Sequence, residues 1–322
     1  MDLFDLNNQY KVVRKDFLMR IDSIMKKSEF ILGQEVKLFE QEFAQFCKVK
    51  FAVGVNSGTD ALFLSLKALG IGSGDEVIVP SFTFIATSFA VTYTGAKPVF
   101  VDIDEYTYNI DPNKVEKAVT KRTKAIIPVH LFGLCANMPE ILKIAKKNNL
   151  AVIEDACQAH GSKINDRFAG SIGDFGCFSF YPTKNLSAFG DAGLITTNSN
   201  KYYMRLLQLR DCGRGKIRYE HKLIGYNSRL DNSQALFLRL KLEHLREWNQ
   251  KRIKIARLYT NYLKEINDLI IPFTPQGYKH VFHVFAIRTR KRNKTPNGYN
   301  KRKSITRRWY GNTRYKFRRN YY

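Results

Sequence analysis

Two rhythms of apolar positions run along this chain. Val13, Phe17, Ile21 and Ile24 recur at helical spacing, and Val36, Phe39, Phe43 and Phe46 repeat the pattern after a break at Ile31-Leu32-Gly33. From there the rhythm changes. Short apolar runs at residues 51–55, 76–79, 98–101, 125–129 and 151–153 read as strands. Helical segments at residues 61–69, 113–119 and 138–147 separate several of them. Strands that are apolar throughout and alternate with helices predict a parallel sheet covered on both faces. A further apolar strand is expected at the start of Ser179–Asn185, and another at Leu194–Thr197. A long helical region follows from Gln234 to about Ile266, with Leu236, Leu240, Leu245, Trp248, Ile255, Ala256 and Tyr259 on a mostly apolar stripe. Residues 280–287, HVFHVFAI, alternate like one more strand.

Composition adds limits. The chain has 322 residues, 44% of them hydrophobic, enough for a large domain and a smaller one. No apolar run is long enough for a membrane span, since Phe82–Ala96 is broken by threonines and a serine. The start, MDLFDLNNQYK, lacks the apolar core of a signal peptide. Five cysteines without CxxC spacing read as reduced thiols of a cytoplasmic protein, with no disulfide framework and no metal site. The net charge of +24 suggests nucleic acid until it is located. Fourteen Lys/Arg and no acid fall in residues 288–322, leaving 39 basic against 29 acidic residues before them.

Candidate chemistry concentrates in residues 151–193. The strand from Ala151 ends in Glu154 and Asp155, and a carboxylate at a strand's carboxyl end is placed to meet a ligand. Lys184 stands alone just past a buried strand, where partial desolvation would free its amine for Schiff-base chemistry. A solvated turn lysine is the bland reading. Upstream, Ser57-Gly58-Thr59 joins a strand to a helix start and makes an anion cradle or an ordinary helix cap. Gly70–Asp75 follows a helix rather than a strand and is a turn, not a dinucleotide motif. His130, at a strand end, fits either a site or a structural hydrogen bond.

Taken together, EDACQAHG, SFYPTKN and GDAG resemble the signature of the DegT/DnrJ/EryC1/StrS family of pyridoxal-phosphate-dependent sugar aminotransferases. The resemblance runs from Leu3 to about Ile287. It implies an α/β fold of the aspartate-aminotransferase type (fold type I), with a mostly parallel seven-stranded sheet. A large cofactor-binding domain would span residues 1–240 and a smaller, incomplete one would start at 241–287. Lys184 would hold the cofactor and shuttle a proton, and Asp155 would hold the proton on its ring nitrogen. Phe84 would stack on the ring, with Gln158 near its phenolic oxygen. Ser57, Gly58, Thr59, Ser179 and Asn227 of the partner subunit would take the phosphate, which implies a homodimer with shared active sites. His160, Tyr181 and His221 would line the substrate cleft. Glutamate would be the amino donor and a nucleotide-linked keto sugar the acceptor, at C3 of a dTDP-3-keto-6-deoxyhexose or, as the close rival, at C4 of a related sugar. Lysine at 184, where dehydratase relatives carry histidine, points to transamination.

Past Ile287 the resemblance is expected to stop, and a stretch with few aliphatic residues and no acids replaces the rest of the small domain. A basic arm whose Trp309 and tyrosines stack on bases is one explanation. A reading-frame change is the other, and the abruptness favours it. Two further functions follow from these: a cofactor-binding relative without turnover, and nucleic-acid binding through the tail.

Overall fold

The computed structural model describes residues 6–215, 217 and 219–289. The basic stretch 290–322, and the choice between arm and frame change, lies outside the described residues.

In chain order the elements are α1 (Leu6–Lys27), α2 (Gln34–Cys47), β1 (Phe51–Val55), α3 (Gly58–Leu69), β2 (Glu76–Pro80), α4 (Ala86–Tyr93), β3 (Lys97–Val101), α5 (Pro112–Ala118) and β4 (Thr123–Ile126). Then come α6 (Met138–Lys147), β5 (Ala151–Asp155), β6 (Lys163–Ile164), β7 (Arg167–Phe168), β8 (Phe175–Ser179) and β9 (Gly193–Thr197). The last are α7 (Asn200–Arg210), α8 (Asn232–Leu242), α9 (Leu245–Leu263) and β10 (Tyr278–Lys279). Seven strands form one sheet in the order β1-β9-β8-β5-β4-β2-β3. β9 runs antiparallel to both β1 and β8, and the other pairs are parallel. The short β10, β6 and β7 make a second, antiparallel sheet.

Side chains alternate across the large sheet, as a period of two requires. Ile78, Ile126 and Val152 join Phe39, Phe43 and Phe180 in one apolar cluster, while Val77, Val79 and Ile153 join Leu62, Leu66 and Val91 in the other. The alternation continues to the strand end. Glu154 lies on the Val152 side and Asp155 on the Ile153 side, and this separates their roles.

Three expectations are revised. The apolar strand before Lys184 is Phe175–Ser179, so the lysine stands in the turn after it, closed by Lys184 N–H donating to the Tyr181 carbonyl at 2.8 Å. The long helical region is two helices broken at Glu243 and His244; α8 packs on α1 through Leu236, Phe237 and Leu240 and on the main core through Ala235 and Leu238, and α9 enters that core at Leu245. Residues 280–287 pair with no strand among the described residues; they form an irregular segment, with Phe282 at φ 45° and a bend at His283 and Val284, held by Val281 N–H donating to the Gly133 carbonyl at 3.0 Å. Helix α7 carried no clear apolar period and was not expected.

Candidate active site

The carboxyl ends of β1, β5 and β8 converge. Ser57 follows β1 and caps α3, its hydroxyl accepting from Asp60 N–H at 3.1 Å. The turn after it packs without spare room: a Cβ at Gly58 would lie 2.5 Å from Ser179 Cβ, and one at Gly193 would lie 2.2 Å from the Ser57 carbonyl. Only glycine lets the start of α3 approach the end of β8 so closely. Ser179 accepts from Tyr181 N–H at 3.3 Å. Ser57, Gly58, Thr59 and Ser179 thus gather at a helix N-terminus, where N–H groups and the helix dipole favour an anion.

Asp155 ends β5, buried, its Oδ1 accepting from Cys157 N–H at 3.2 Å and its Oδ2 from the Thr87 hydroxyl at 2.8 Å. The Thr87 proton is committed to the carboxylate, so the Thr83 hydroxyl, 3.0 Å away, donates to Thr87. Lys184 is partly buried; desolvation pushes its amine below the usual lysine value, while Cys157 and Asp155 nearby pull the other way. A lysine held toward its neutral form beside a buried carboxylate and an anion cradle is a nucleophilic amine in a ligand site.

These residues belong to a stretch of recognisable ancestry: residues 11–312 match the DegT/DnrJ/EryC1/StrS aminotransferase family. The chain belongs to that family. The match runs past Ile287, where the resemblance was expected to stop. Over 290 residues the chain is 48% identical to a UDP-N-acetyl-3-dehydro-alpha-D-glucosamine 3-aminotransferase of Acidithiobacillus ferrooxidans, covering 90% of this chain and 78% of the relative. It is 43% identical over 288 residues to a dTDP-3-amino-3,4,6-trideoxy-alpha-D-glucose transaminase of Streptomyces venezuelae, covering 89% and 76%. The crystal structure of S. venezuelae DesV in complex with a ketimine intermediate superposes with a TM-score of 0.88 at 43% identity, covering 90% of this chain and 78% of that one. The protein is an aminotransferase of fold type I, and its cofactor is pyridoxal phosphate.

The residues fit that cofactor: an amine of lowered pKa, a buried carboxylate held by two donors, and a cradle that a Cβ at residue 58 would fill. Gln158 is buried nearby, its Oε1 accepting from Phe132 N–H at 2.8 Å. Phe84 and Tyr181 are exposed, at 58% and 51%, free to meet a ligand or a partner. Asn227 is exposed on the loop after α7, and its neighbour Ser228 touches Asn56 at 3.3 Å. His221 is exposed too, donating Nδ1–H to the Cys212 carbonyl at 2.8 Å. No hydrogen bond joins Asn227 or His221 to the buried cluster among the described residues.

His160 does not suit the substrate contact expected of it. It is fully buried between the Phe178 and Phe180 rings, each centroid 5.5 Å away. Neither ring nitrogen has a hydrogen-bond partner of good geometry, though the Ser179 backbone lies near. Burial, aided by the Lys184 charge, pushes its pKa down to about 3. His130 takes the structural alternative: Nδ1 accepts from Ala136 N–H at 3.1 Å, so Nε2–H donates to Glu154 at 2.8 Å. Reading by sequence missed Thr83 and Thr87. Their signal was two hydroxyls one helical turn apart, flanking Phe84, at the strand-to-helix junction.

Proposed function

We propose that this aminotransferase carries an amino group from glutamate to the 3-keto group of a nucleotide-linked sugar, a dTDP-3-keto-6-deoxyhexose, as a cytoplasmic homodimer. The observation that carries the reading is the juxtaposition of Lys184, Asp155 and the Ser57–Ser179 cradle in a chain 43% identical to a dTDP-3-amino-sugar transaminase. Identity of 48% to a relative named for a UDP-linked 3-dehydro sugar makes a UDP-linked 3-keto sugar the second reading.

When bound, pyridoxal phosphate supplies a ring that takes up the negative charge left on the donor's α-carbon. Lys184 would bind the cofactor through Nζ; once released, Nζ would take the proton from the donor's α-carbon and deliver it to the cofactor. Burial favours the neutral amine, the form with a free lone pair. Asp155 holds a proton on the ring nitrogen by raising its pKa, and Thr87 holds Asp155. Ser57, Gly58, Thr59 and Ser179 grip the phosphate together with Asn227 of the partner subunit. Phe84 would stack on the ring, Gln158 would lie near its phenolic oxygen, and Tyr181 and His221 would meet the sugar nucleotide.

A dimer suits the exposed apolar side chains Phe84, Phe89 and Tyr93 on and before α4, and Ile217 and Ile224 on the loop that carries Asn227. Five free thiols suit a reducing compartment. We read residues 1–240 as the cofactor-binding domain and 241–287 as the start of a smaller one, the boundary falling in the last turn of α8, just before the α8–α9 break.

The test is a visible absorption spectrum of the chain with pyridoxal phosphate, before and after glutamate. A lysine-bound band that converts to the pyridoxamine form, and that Lys184→Ala lacks, is expected. Amination of dTDP- and UDP-linked 3-keto and 4-keto sugars, with the product's amino carbon assigned by NMR, then selects the acceptor. A chain that shows no band, or a band that glutamate leaves unchanged, refutes the reading.

A further inference from the structure

Next to Lys184 stands Asn185, whose side chain is 1% exposed and must find its partners inside the protein. It finds them in two distant segments. Nδ2 donates to Asn249 Oδ1 on α9 at 2.9 Å and to the Val281 carbonyl at 3.2 Å, and Oδ1 lies 3.2 Å from His283 Nδ1. Asn249, also buried, donates Nδ2–H to the His160 carbonyl at 2.7 Å. The two backbone carbonyls can only accept, which settles both amide orientations. Asn249 must turn its oxygen to Asn185, and Asn185 must turn its oxygen to His283. His283 therefore presents Nδ1–H as donor.

The imidazole is neutral. Burial holds its pKa well below the usual histidine value, and the charges of Lys184 and Arg252, with His160 beside it, push the same way. Lys184 therefore faces a neutral imidazole, and His283 adds no positive charge of its own beside it. The segment bearing His283 is itself fixed, since Val281 N–H donates to the Gly133 carbonyl at 3.0 Å, next to Phe132, whose N–H holds Gln158.

The geometry points to His283 as a positioning residue for Lys184: through Asn185 it anchors the turn from which the lysine reaches the cofactor. On the N-terminal side the turn is closed by the bond from Lys184 N–H to the Tyr181 carbonyl. On the C-terminal side the Asn185 side chain is the anchor. A lysine stem has four flexible carbons, so the aim of Nζ depends on how firmly its backbone is held. This inference rests on the reading that Lys184 carries pyridoxal phosphate.

Two polar substitutions test it. His283→Asn puts an amide where Nδ1 stands, whereas His283→Gln puts it about where Nε2 stands, one bond farther out. Each variant is titrated with pyridoxamine phosphate, which fills the cradle without bonding to lysine, and then mixed with pyridoxal phosphate while the visible band is followed. His283→Gln is expected to bind pyridoxamine phosphate within about twofold of wild type yet capture pyridoxal phosphate about tenfold more slowly or worse. His283→Asn should capture it within about threefold of the wild-type rate. Equal capture rates in the two variants would overturn the positioning role. So would parallel loss of pyridoxamine phosphate affinity and capture, which marks a general structural defect. A wild-type chain that binds neither compound sinks the aminotransferase reading as well, so the two failures are distinguishable.

Discussion

Glu154 and Asp155 are neighbouring carboxylates at the end of one buried strand, and their amide variants should fail in opposite ways. Glu154 is fully buried and accepts four hydrogen bonds: from His130 Nε2 at 2.8 Å, Gly170 N–H at 2.9 Å, Ile172 N–H at 2.6 Å and Gly173 N–H at 2.7 Å. In Glu154→Gln one oxygen becomes an NH₂ group. Whichever way the amide turns, two donors then face a donor. His130 cannot relieve the clash by changing tautomer, because its Nδ1 already accepts from Ala136 N–H. Hydrogen bonds to a charged group contribute about 1.5–3 kcal/mol each, so losing two costs about 3–6 kcal/mol. With an unfolding entropy of about 2.1 cal/mol/K per residue, a chain of this length loses about 4–9 °C in Tm. Asp155→Asn is different. Its partners are Cys157 N–H and the Thr87 hydroxyl, and the hydroxyl can rotate to meet an amide. Its Tm should fall by no more than about 2 °C, consistent with a loss of about 1 kcal/mol. The glutamate half-reaction should slow about a hundredfold or more, because nothing then holds the proton on the ring nitrogen. Thermal unfolding by circular dichroism and single-turnover spectra measure the two effects. A Glu154→Gln chain that melts within about one degree of wild type, or an Asp155→Asn chain that reacts at the wild-type rate, refutes the assignment of opposite faces.

Gly58→Ala should weaken pyridoxal phosphate binding about tenfold or more by forcing Ser179 away from the start of α3, since the new Cβ would lie 2.5 Å from Ser179 Cβ; equilibrium titration of the apo-chain checks it. Asn232→Ala should cost about 1–2 kcal/mol in denaturant unfolding, because Asn232 Oδ1 accepts from Glu35 and Val36 N–H at 2.9 and 3.2 Å and so caps α2 from α8. Burial lowers the Lys241 amine to about 7, while the unfolded chain would titrate near the ordinary lysine value. Between these values the unfolded state binds more protons, so this lysine makes stability rise with pH by up to about 1.4 kcal/mol per unit. Above the window the penalty is gone. Lys241→Met should remove that rise, and a stability difference between variant and wild type that stays flat from pH 7 to 10 would contradict it.

Local pattern was enough for the frame of this protein. The strand–helix alternation named the sheet, because a strand buried on both faces must be apolar throughout. Asp155 and the Ser57–Thr59 turn could be proposed from sequence because each stands at a strand end, and Lys184 because it stands in the turn after one, where a short motif and its flanks decide what the backbone does. Other features needed partners far away in the chain. Whether Glu154 or Asp155 faces the site depends on which side of the sheet each apolar cluster occupies. Gly33 caps α2 without a side chain, and the oxygen that replaces it comes from Asn232. The burial of His160 is set by two phenylalanines, one from β8 and one just after it. The brace behind Lys184 joins residues 160, 185, 249 and 283. A sequence read locally reports what the backbone prefers over a few residues. Burial, tautomer and the aim of a side chain are set by groups brought together only when the chain closes on itself, so the tertiary structure decided them.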